Sequence, residues 1–215
     1  MKEGFIMLDI NKMREEQRLN NTTSSKRTMV ISAFPGCGKT YLYENQDKLE
    51  FNCQGERKKF TFCDSDSYHY KKHDGWEKEY VEDIEKKLGI LDFIFISQHD
   101  KVLEELNNQK IPFVVIAPDN TEWLSDRERE LIKQQWFGRF VLRDNSHIKD
   151  FPSWLESLKE HYDEWTSYEH LEKYKPVSVF SLGIDQYLSD IISDLYAKKE
   201  TYALYTIYEP KEMFL

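Results

Sequence analysis

Short apolar runs rich in β-branched and aromatic residues alternate with amphipathic segments along most of this chain. Such runs are too short for helices and are typical of buried strands. The predicted strands are residues 28–34, 59–63, 92–97 and 111–117. Because these runs are continuously apolar, we expect a mainly parallel sheet with helices on both faces.

The segments between the predicted strands carry apolar residues at helical spacing. The first helix is expected from Gly38 onward. Ser125 and Glu128 predict a capping box at the start of a helix that continues to about residue 137. The other predicted helices are residues 76–88 and 100–109, with further apolar helix faces at 151–165 and 184–195. Strands that alternate with helices in this way indicate an α/β fold.

Composition divides the chain of 215 residues into three parts. We expect residues 1–27 to form a polar leader, 28–165 the main domain, and 166–215 a C-terminal helical extension packed on that domain. Residues 45–59 are expected to be an insertion. Residues 201–215 are open between a last strand and an extension, and the sequence assigns them no role.

Charge and composition narrow the classes of function. The 30 Lys and Arg residues against 39 Asp and Glu give a formal net charge of −9, which disfavours nucleic-acid binding except through a local basic groove. No apolar run approaches the roughly 18 residues of a membrane-spanning helix, so we expect no membrane partner. The 3 cysteines include no C-x-x-C pair, which fits a protein of the reducing cytoplasm.

The most specific motif lies directly after the first predicted strand. Residues 33–40 read A-F-P-G-C-G-K-T and match the phosphate-binding pattern G-x-x-x-x-G-K-[ST], with alanine at the first glycine position. Gly36 and Gly38 allow a tight turn that points N–H groups at phosphate oxygens. Lys39 supplies charge for the β and γ phosphates and is expected to lower the pKa of the neighbouring cysteine, while Thr40 offers a hydroxyl to Mg²⁺. The predicted ATP-binding residues are Pro35, Gly36, Cys37, Gly38, Lys39, Thr40 and Tyr41.

Two aspartates, Asp64 and Asp66, follow the second predicted strand in the run C-D-S-D-S. Ligands of open α/β sheets bind beyond the carboxyl ends of the strands, so both acids are expected to face Lys39. Phosphoryl transfer needs Mg²⁺ near the β and γ oxygens and an oriented acceptor hydroxyl. We assign Asp64 to Mg²⁺ and Asp66 to the acceptor. The reverse assignment stays open, as does a simple Asx turn.

Together, the phosphate-binding pattern and the D-S-D run resemble the small P-loop kinases. Shikimate- and gluconate-type kinases carry a similar D-S-D, and polynucleotide 5′-kinases carry an aspartate there that faces the acceptor hydroxyl. Over residues 29–165 the layout more closely resembles phage- and prophage-borne P-loop proteins identified as nucleotide or deoxynucleoside monophosphate kinases. The resemblance implies a P-loop NTPase fold of the nucleotide-kinase type, with a mainly parallel sheet of five strands, the phosphate-loop strand at its centre, flanking helices and a lid segment.

Arginines after the fourth predicted strand are candidates for the lid. Kinases of this class close a lid whose arginines neutralise charge on the transferring phosphoryl group. Arg139 and Arg143 lie four residues apart and share one face if that segment is helical, so they are the favoured clamp. Surface ion pairs remain the alternative for them. Arg127 and Arg129 alternate with acidic residues, as on a solvated helix surface.

Ser97, Gln98 and His99 follow the third predicted strand at the same edge of the sheet. One interpretation has His99 contact the substrate. The favoured one has Ser97 cap the next helix, with His99 in its first turn. Neither interpretation gives Gln98 a role.

The predicted function is Mg-ATP-dependent phosphotransfer to a small acceptor, either a (deoxy)nucleoside monophosphate or a nucleoside. Catalysis is assigned to Lys39, Asp64, Asp66, Arg139 and Arg143, and Mg²⁺ binding to Thr40 and Asp64. The alternatives are a polynucleotide 5′-hydroxyl kinase and an ATP-binding switch or ATPase that acts through a protein partner. The paired aspartates favour a kinase, while the identity of the acceptor and the oligomeric state stay open.

Overall fold

The computed structural model describes residues 28–201 except 66, 68, 69, 71, 72, 143, 144, 146 and 147. Fourteen helices and strands follow one another in this part of the chain. In order they are β1 (Met29–Ala33), α1 (Lys39–Asn45), β2 (Phe51–Cys53), β3 (Glu56–Lys58), β4 (Phe62–Asp64), α2 (Trp76–Lys87), β5 (Phe93–Ile96), α3 (Asp100–Asn108), β6 (Phe113–Pro118), α4 (Asp126–Leu142), α5 (Phe151–Trp165), α6 (Tyr168–Glu172), β7 (Ser178–Leu182) and α7 (Leu188–Thr201).

Five strands form the main sheet in the order β4-β5-β1-β6-β7, and all neighbours run parallel. β1 lies at the centre, with Ser32 opposite Ile96 of β5 and Ala33 opposite Ile116 of β6. The α/β class and the parallel sheet are therefore confirmed. The strand that precedes the phosphate-binding pattern is the central one, which puts the following loop in the middle of the carboxyl edge.

The sheet has a hydrophobic core on each face, because successive side chains of a strand point to opposite sides. Met29, Ile31 and Ala33 face a cluster built with α1, α4, α5 and α7. Val30 faces a second cluster built with α2, α3 and α6. All five residues of β1 are buried. Since helices cover both faces, the strands read as continuous apolar runs in the sequence.

The second predicted strand starts later than expected. β4 covers Phe62–Asp64 instead of 59–63. The N–H and hydroxyl of Thr61 donate to a side-chain oxygen, Asp92 Oδ2, at 2.8 and 2.9 Å, and not to the backbone of a neighbouring strand. Residues 45–59, expected to be an insertion, contain the antiparallel hairpin β2–β3. Gln54 and Gly55 form its turn with φ of 54° and 90°, the left-handed pair that tight hairpins favour.

The last third of the chain differs most from the expectation. α4 continues to Leu142 instead of ending near residue 137, and β7 joins the edge of the main sheet next to β6. The described part of residues 166–215 thus contributes a strand as well as helices. α7 begins at Leu188, so Ile184 and Tyr187 precede the helix, with 48% and 40% of their surface exposed. The leader (1–27) and the open stretch after Thr201 lie outside the described residues. No helix in the described part of the chain is long and apolar enough to cross a membrane.

Candidate functional site

The phosphate loop (residues 33–40) leaves the sheet at the carboxyl end of its central strand. The N–H of Phe34 donates to Ile116 O at 2.9 Å, which extends the pairing of β1 with β6. Gly36 and Gly38 then adopt φ of 84° and 94°, a left-handed conformation that side chains disfavour. α1 begins at Lys39. The first-turn N–H groups of a helix have no acceptor inside it, and no side chain of the described residues caps them here.

Three predicted site residues meet at this edge. Lys39 Nζ donates to Ala33 O at 2.7 Å and to Phe34 O at 3.4 Å, so its charge lies within the turn of the phosphate loop. The Thr40 hydroxyl donates to Asp64 Oδ2 at 2.6 Å. Hydroxyl and carboxylate oxygens are ligands that Mg²⁺ accepts, and a lysine inside a turn suits a phosphate anion. The residues present therefore fit Mg-ATP.

Two predicted site residues, Asp66 and Arg143, lie outside the described residues. The assignment of Asp66 to the acceptor therefore stays a prediction, and so does the pairing of Arg143 with Arg139.

Tyr41 lies beside the phosphate loop on α1 with 55% of its surface exposed, and its carbonyl accepts from Asn45 Nδ2 at 2.9 Å.

Aromatic side chains from distant parts of the chain pack onto the phosphate loop. Trp136 of α4 donates from Nε1 to Pro35 O at 2.7 Å, across 101 residues of sequence. A Cβ at Gly36 would lie 2.8 Å from Phe140 Cε1, and one at Gly38 would lie 3.5 Å from Tyr187 Cδ1. Sequence reasoning missed these aromatics, because no local spacing connects them with the loop.

Arg139 lies between two of these aromatic rings. Its guanidinium carbon is 4.1 Å from the centre of the Trp136 ring and 4.0 Å from that of Tyr187. All three guanidinium nitrogens are buried and have no hydrogen-bond acceptor among the described residues. Arg129, in contrast, donates to Thr121 O and Leu124 O and pairs with an acid of its own helix. Arg139 thus has the donors for an anion beside the phosphate loop, whereas Arg129 is already satisfied.

Cys37 behaves differently from the expectation. The side chain is fully buried, and burial raises the pKa of its thiol to about 12, although Lys39 and Arg139 lower it in part. The expected lowering of its pKa is therefore wrong, because desolvation exceeds the attraction of the two cations. The backbone of Cys37 also anchors the loop, since its carbonyl accepts from Leu188 N at 2.9 Å.

The ends of β4 and β5 are held together by Tyr80 of α2. Its hydroxyl donates to Ser65 O at 2.7 Å and accepts from Ser97 N at 3.4 Å. Burial raises the pKa of Tyr80, so the hydroxyl stays protonated as a donor. The capping role expected for Ser97 is wrong, because His99 is the N-cap residue of α3.

Comparisons of this chain with models of protein families, with curated proteins and with solved structures found no match.

Proposed function

We propose that the chain is an Mg-ATP-dependent phosphotransferase that acts on a small acceptor, a (deoxy)nucleoside monophosphate or a nucleoside. The observation that carries the proposal is the contact between Thr40 and Asp64, 24 residues apart, beside a glycine turn that encloses Lys39. A lysine, a hydroxyl and a carboxylate at the end of a central parallel strand are the groups that phosphoryl transfer from Mg-ATP requires. The P-loop NTPase fold of nucleotide-kinase type, with α4 as lid, belongs to this proposal.

The proposed reaction gives a task to each site residue that the structure describes. Lys39 and the N–H groups of the phosphate loop bind the ATP phosphates, and Thr40 with Asp64 would hold Mg²⁺. When bound, the metal neutralises charge on the β and γ phosphates. Arg139 donates to an oxygen of the transferring phosphoryl group, which gives its buried nitrogens the acceptor that they lack.

The transfer itself is balanced by ATP and the acceptor alone. The acceptor oxygen forms a bond to the γ-phosphorus, the bond between that phosphorus and the β,γ-bridging oxygen breaks, and a hydroxyl acceptor gives up its proton to water. ADP leaves with the electron pair of the broken bond. Asp66 keeps its predicted role of orienting the acceptor, and Arg143 keeps its predicted role of clamping charge.

The test measures ATP consumption with Mg²⁺ against nucleosides, nucleoside monophosphates, shikimate-like polyols and 5′-hydroxyl oligonucleotides. Stimulation by one acceptor, together with a phosphorylated product, supports the proposal. ATP binding without acceptor-dependent turnover contradicts it and favours a switch or ATPase module.

We predict that Lys39→Ala reduces turnover about a hundredfold or more, because one preorganised cation at the phosphates is lost. The midpoint of thermal unfolding should change little, since the hydrogen bonds of Lys39 in the described part of the chain go to loop carbonyls. Lys48→Ala is the matched control, because this lysine is exposed just past the end of α1. Near-normal turnover of Lys39→Ala would contradict the proposal.

A further inference from the structure

The side chain of Arg139 is enclosed where it lies beside the phosphate loop. Its guanidinium carbon is 4.1 Å from the centre of the Trp136 ring and 4.0 Å from that of Tyr187, so an aromatic ring lies on either side of it. Its three guanidinium nitrogens are buried. Water does not reach these nitrogens in this conformation, and neither does a phosphate oxygen, which is no smaller than the oxygen of water.

The enclosed arrangement leaves the charge of Arg139 poorly satisfied. A buried cation whose donors have no acceptor is costly, and contact with aromatic faces offsets only part of that cost. The nitrogens of Arg139 have no such acceptor among the described residues. An anion that reached them would form charge-assisted hydrogen bonds, which are stronger than the contact with a ring. Anion binding and the enclosed arrangement therefore exclude each other, and one ring must move for an anion to bind.

The two rings differ in their freedom to move. Trp136 is fully buried, and its Nε1 donates to Pro35 O at 2.7 Å. Tyr187 is 40% exposed, and its hydrogen bonds in the described part of the chain are made by its backbone, to Asp190 at 2.7 and 3.0 Å. The ring of Tyr187 can therefore rotate into solvent while its backbone stays in place, whereas the indole of Trp136 is held by the core and by the loop.

Tyr187 also lies against the phosphate loop itself. A Cβ at Gly38 would be 3.5 Å from Cδ1 of Tyr187 and 3.7 Å from its Cβ. The next residue, Leu188, fixes the backbone there, because its N–H donates to Cys37 O at 2.9 Å. The ring thus covers Arg139 and the last turn of the loop together, and a rotation of this one side chain uncovers both.

We infer that Tyr187 is a gate over the anion site: its ring covers Arg139 until a polyphosphate takes its place. The inference rests on the proposed function and states how access to that same site is controlled. The polyphosphate and the ring compete for one guanidinium group. Since the anion binds only the open state, the population of the closed state lowers its apparent affinity.

The first test measures the affinity of the full chain for inorganic tripolyphosphate with Mg²⁺ by calorimetry. This probe has no base or sugar that could contact the tyrosine directly. We expect Tyr187→Ala to bind it about fivefold more tightly than the wild type, because removal of the ring leaves the site open. Tyr187→Phe keeps the ring and should keep the wild-type affinity. Unchanged or weaker binding by Tyr187→Ala would overturn the inference.

A double-mutant cycle shows whether the gate acts through Arg139. In an Arg139→Met background, Tyr187→Ala should change the affinity by less than about twofold, because the ring no longer covers a donor. Tyr168→Ala is the matched control: this tyrosine is 61% exposed on α6, and Leu171 of the same helix packs into the core on the other face of the sheet. Tighter binding that persists without Arg139 would overturn the inference.

The second test measures access to Arg139 directly. Phenylglyoxal modifies exposed arginines, and mass spectrometry gives the rate at each position. Arg127, exposed on the same helix, is the internal standard. We expect Arg139 of the wild type to react roughly tenfold or more slowly than Arg127, and Tyr187→Ala to raise the rate at Arg139 several-fold. Equal rates at the two arginines of the wild type would overturn the inference.

The outcomes separate the gate from the proposed function. If Tyr187→Ala fails to fold, Tyr187→Leu carries both tests, because leucine keeps apolar bulk but has no ring face. Acceptor-dependent turnover together with an affinity that does not depend on the ring overturns the gate and leaves the proposed phosphotransfer standing. A chain that binds neither tripolyphosphate nor ATP overturns both.

Discussion

Gly36 lies where the phosphate loop contacts α4, and its position has room for no more than a hydrogen. Its φ is 84°, and a Cβ would lie 2.8 Å from Phe140 Cε1 and 3.2 Å from Trp136 Nε1. Both aromatic side chains are fully buried, so neither ring can move aside into solvent. Backbone conformation and packing therefore require the same residue here, independently of any bound phosphate.

We predict that Gly36→Ala lowers the free energy of unfolding by about 2–4 kcal/mol, from left-handed strain together with crowding in the core. Gly138→Ala is the matched control on α4. Nothing lies within 4 Å of a Cβ there, so alanine should stabilise the helix by about 0.5–1 kcal/mol. Urea unfolding of both variants checks the prediction. A loss below about 1 kcal/mol in Gly36→Ala would show that the loop adapts.

Arg139 shows why charge alone does not describe this site. Its planar guanidinium stacks between Trp136 and Tyr187, a geometry that a lysine ammonium does not reproduce. One of these rings belongs to α4 and the other precedes α7. The arginine therefore links α4 to the segment before α7, and its three buried guanidinium nitrogens have no hydrogen-bond acceptor among the described residues.

At the level of whole elements, α2 holds the ends of two strands in place through a single hydroxyl. Tyr80→Phe removes that group and leaves Ser65 O and Ser97 N without their partner. We predict a loss of about 1–3 kcal/mol in the free energy of unfolding, together with a raised KM for the acceptor. Tyr168→Phe, on a side chain that is 61% exposed, should change stability by less than about 0.5 kcal/mol. Equal urea midpoints for the two variants would contradict the role of Tyr80.

α4 illustrates which features of an element a sequence predicts. Its start was predictable because the signal is local: Ser125 N donates to Glu128 Oε2 at 2.8 Å and Glu128 N donates to Ser125 Oγ at 3.3 Å, as in a capping box. The hydrogen bonds that the hydroxyl and N–H of Ser125 donate to the carboxylate also lower the pKa of Glu128. Its end was not predictable in the same way, because Phe140 extends the helix by packing into a core formed by distant residues.

For the whole molecule, continuous apolar runs predicted the parallel sheet, since they report burial on both faces directly. The exception was β7, whose residues are mostly only half-buried at the sheet edge and give no such run. The phosphate loop and Asp64 were predictable because their residue types follow strands at fixed offsets. The contacts of Trp136, Tyr187 and Tyr80 were not, since they join elements whose approach depends on the packing of the complete fold.

A histidine of α6 lies between acidic side chains of two other helices. His170 of α6 has 9% of its side chain exposed and lies 3.7 Å from Asp100 of α3 and 3.8 Å from Glu164 of α5. Burial lowers the pKa of His170, and Lys173 lowers it further, while the two carboxylates offset part of this effect. The folded chain therefore holds this imidazole neutral to lower pH than the unfolded chain does.

The unfolded chain binds a proton at His170 near the ordinary pKa of 6.5, before the folded chain does. The contribution of His170 to stability is thus complete above that pH and is lost as the pH falls through it. We predict that the wild type loses more free energy of unfolding than His170→Gln between about pH 8 and pH 5, measured by urea titration.

His73→Gln gives a comparison of opposite sign. The carbonyl of Asp74 and the carboxylate of Glu79 raise the pKa of His73, so its contribution is present at low pH and fades as the pH rises. Parallel pH profiles for wild type and His170→Gln would mean that the imidazole titrates alike in both states.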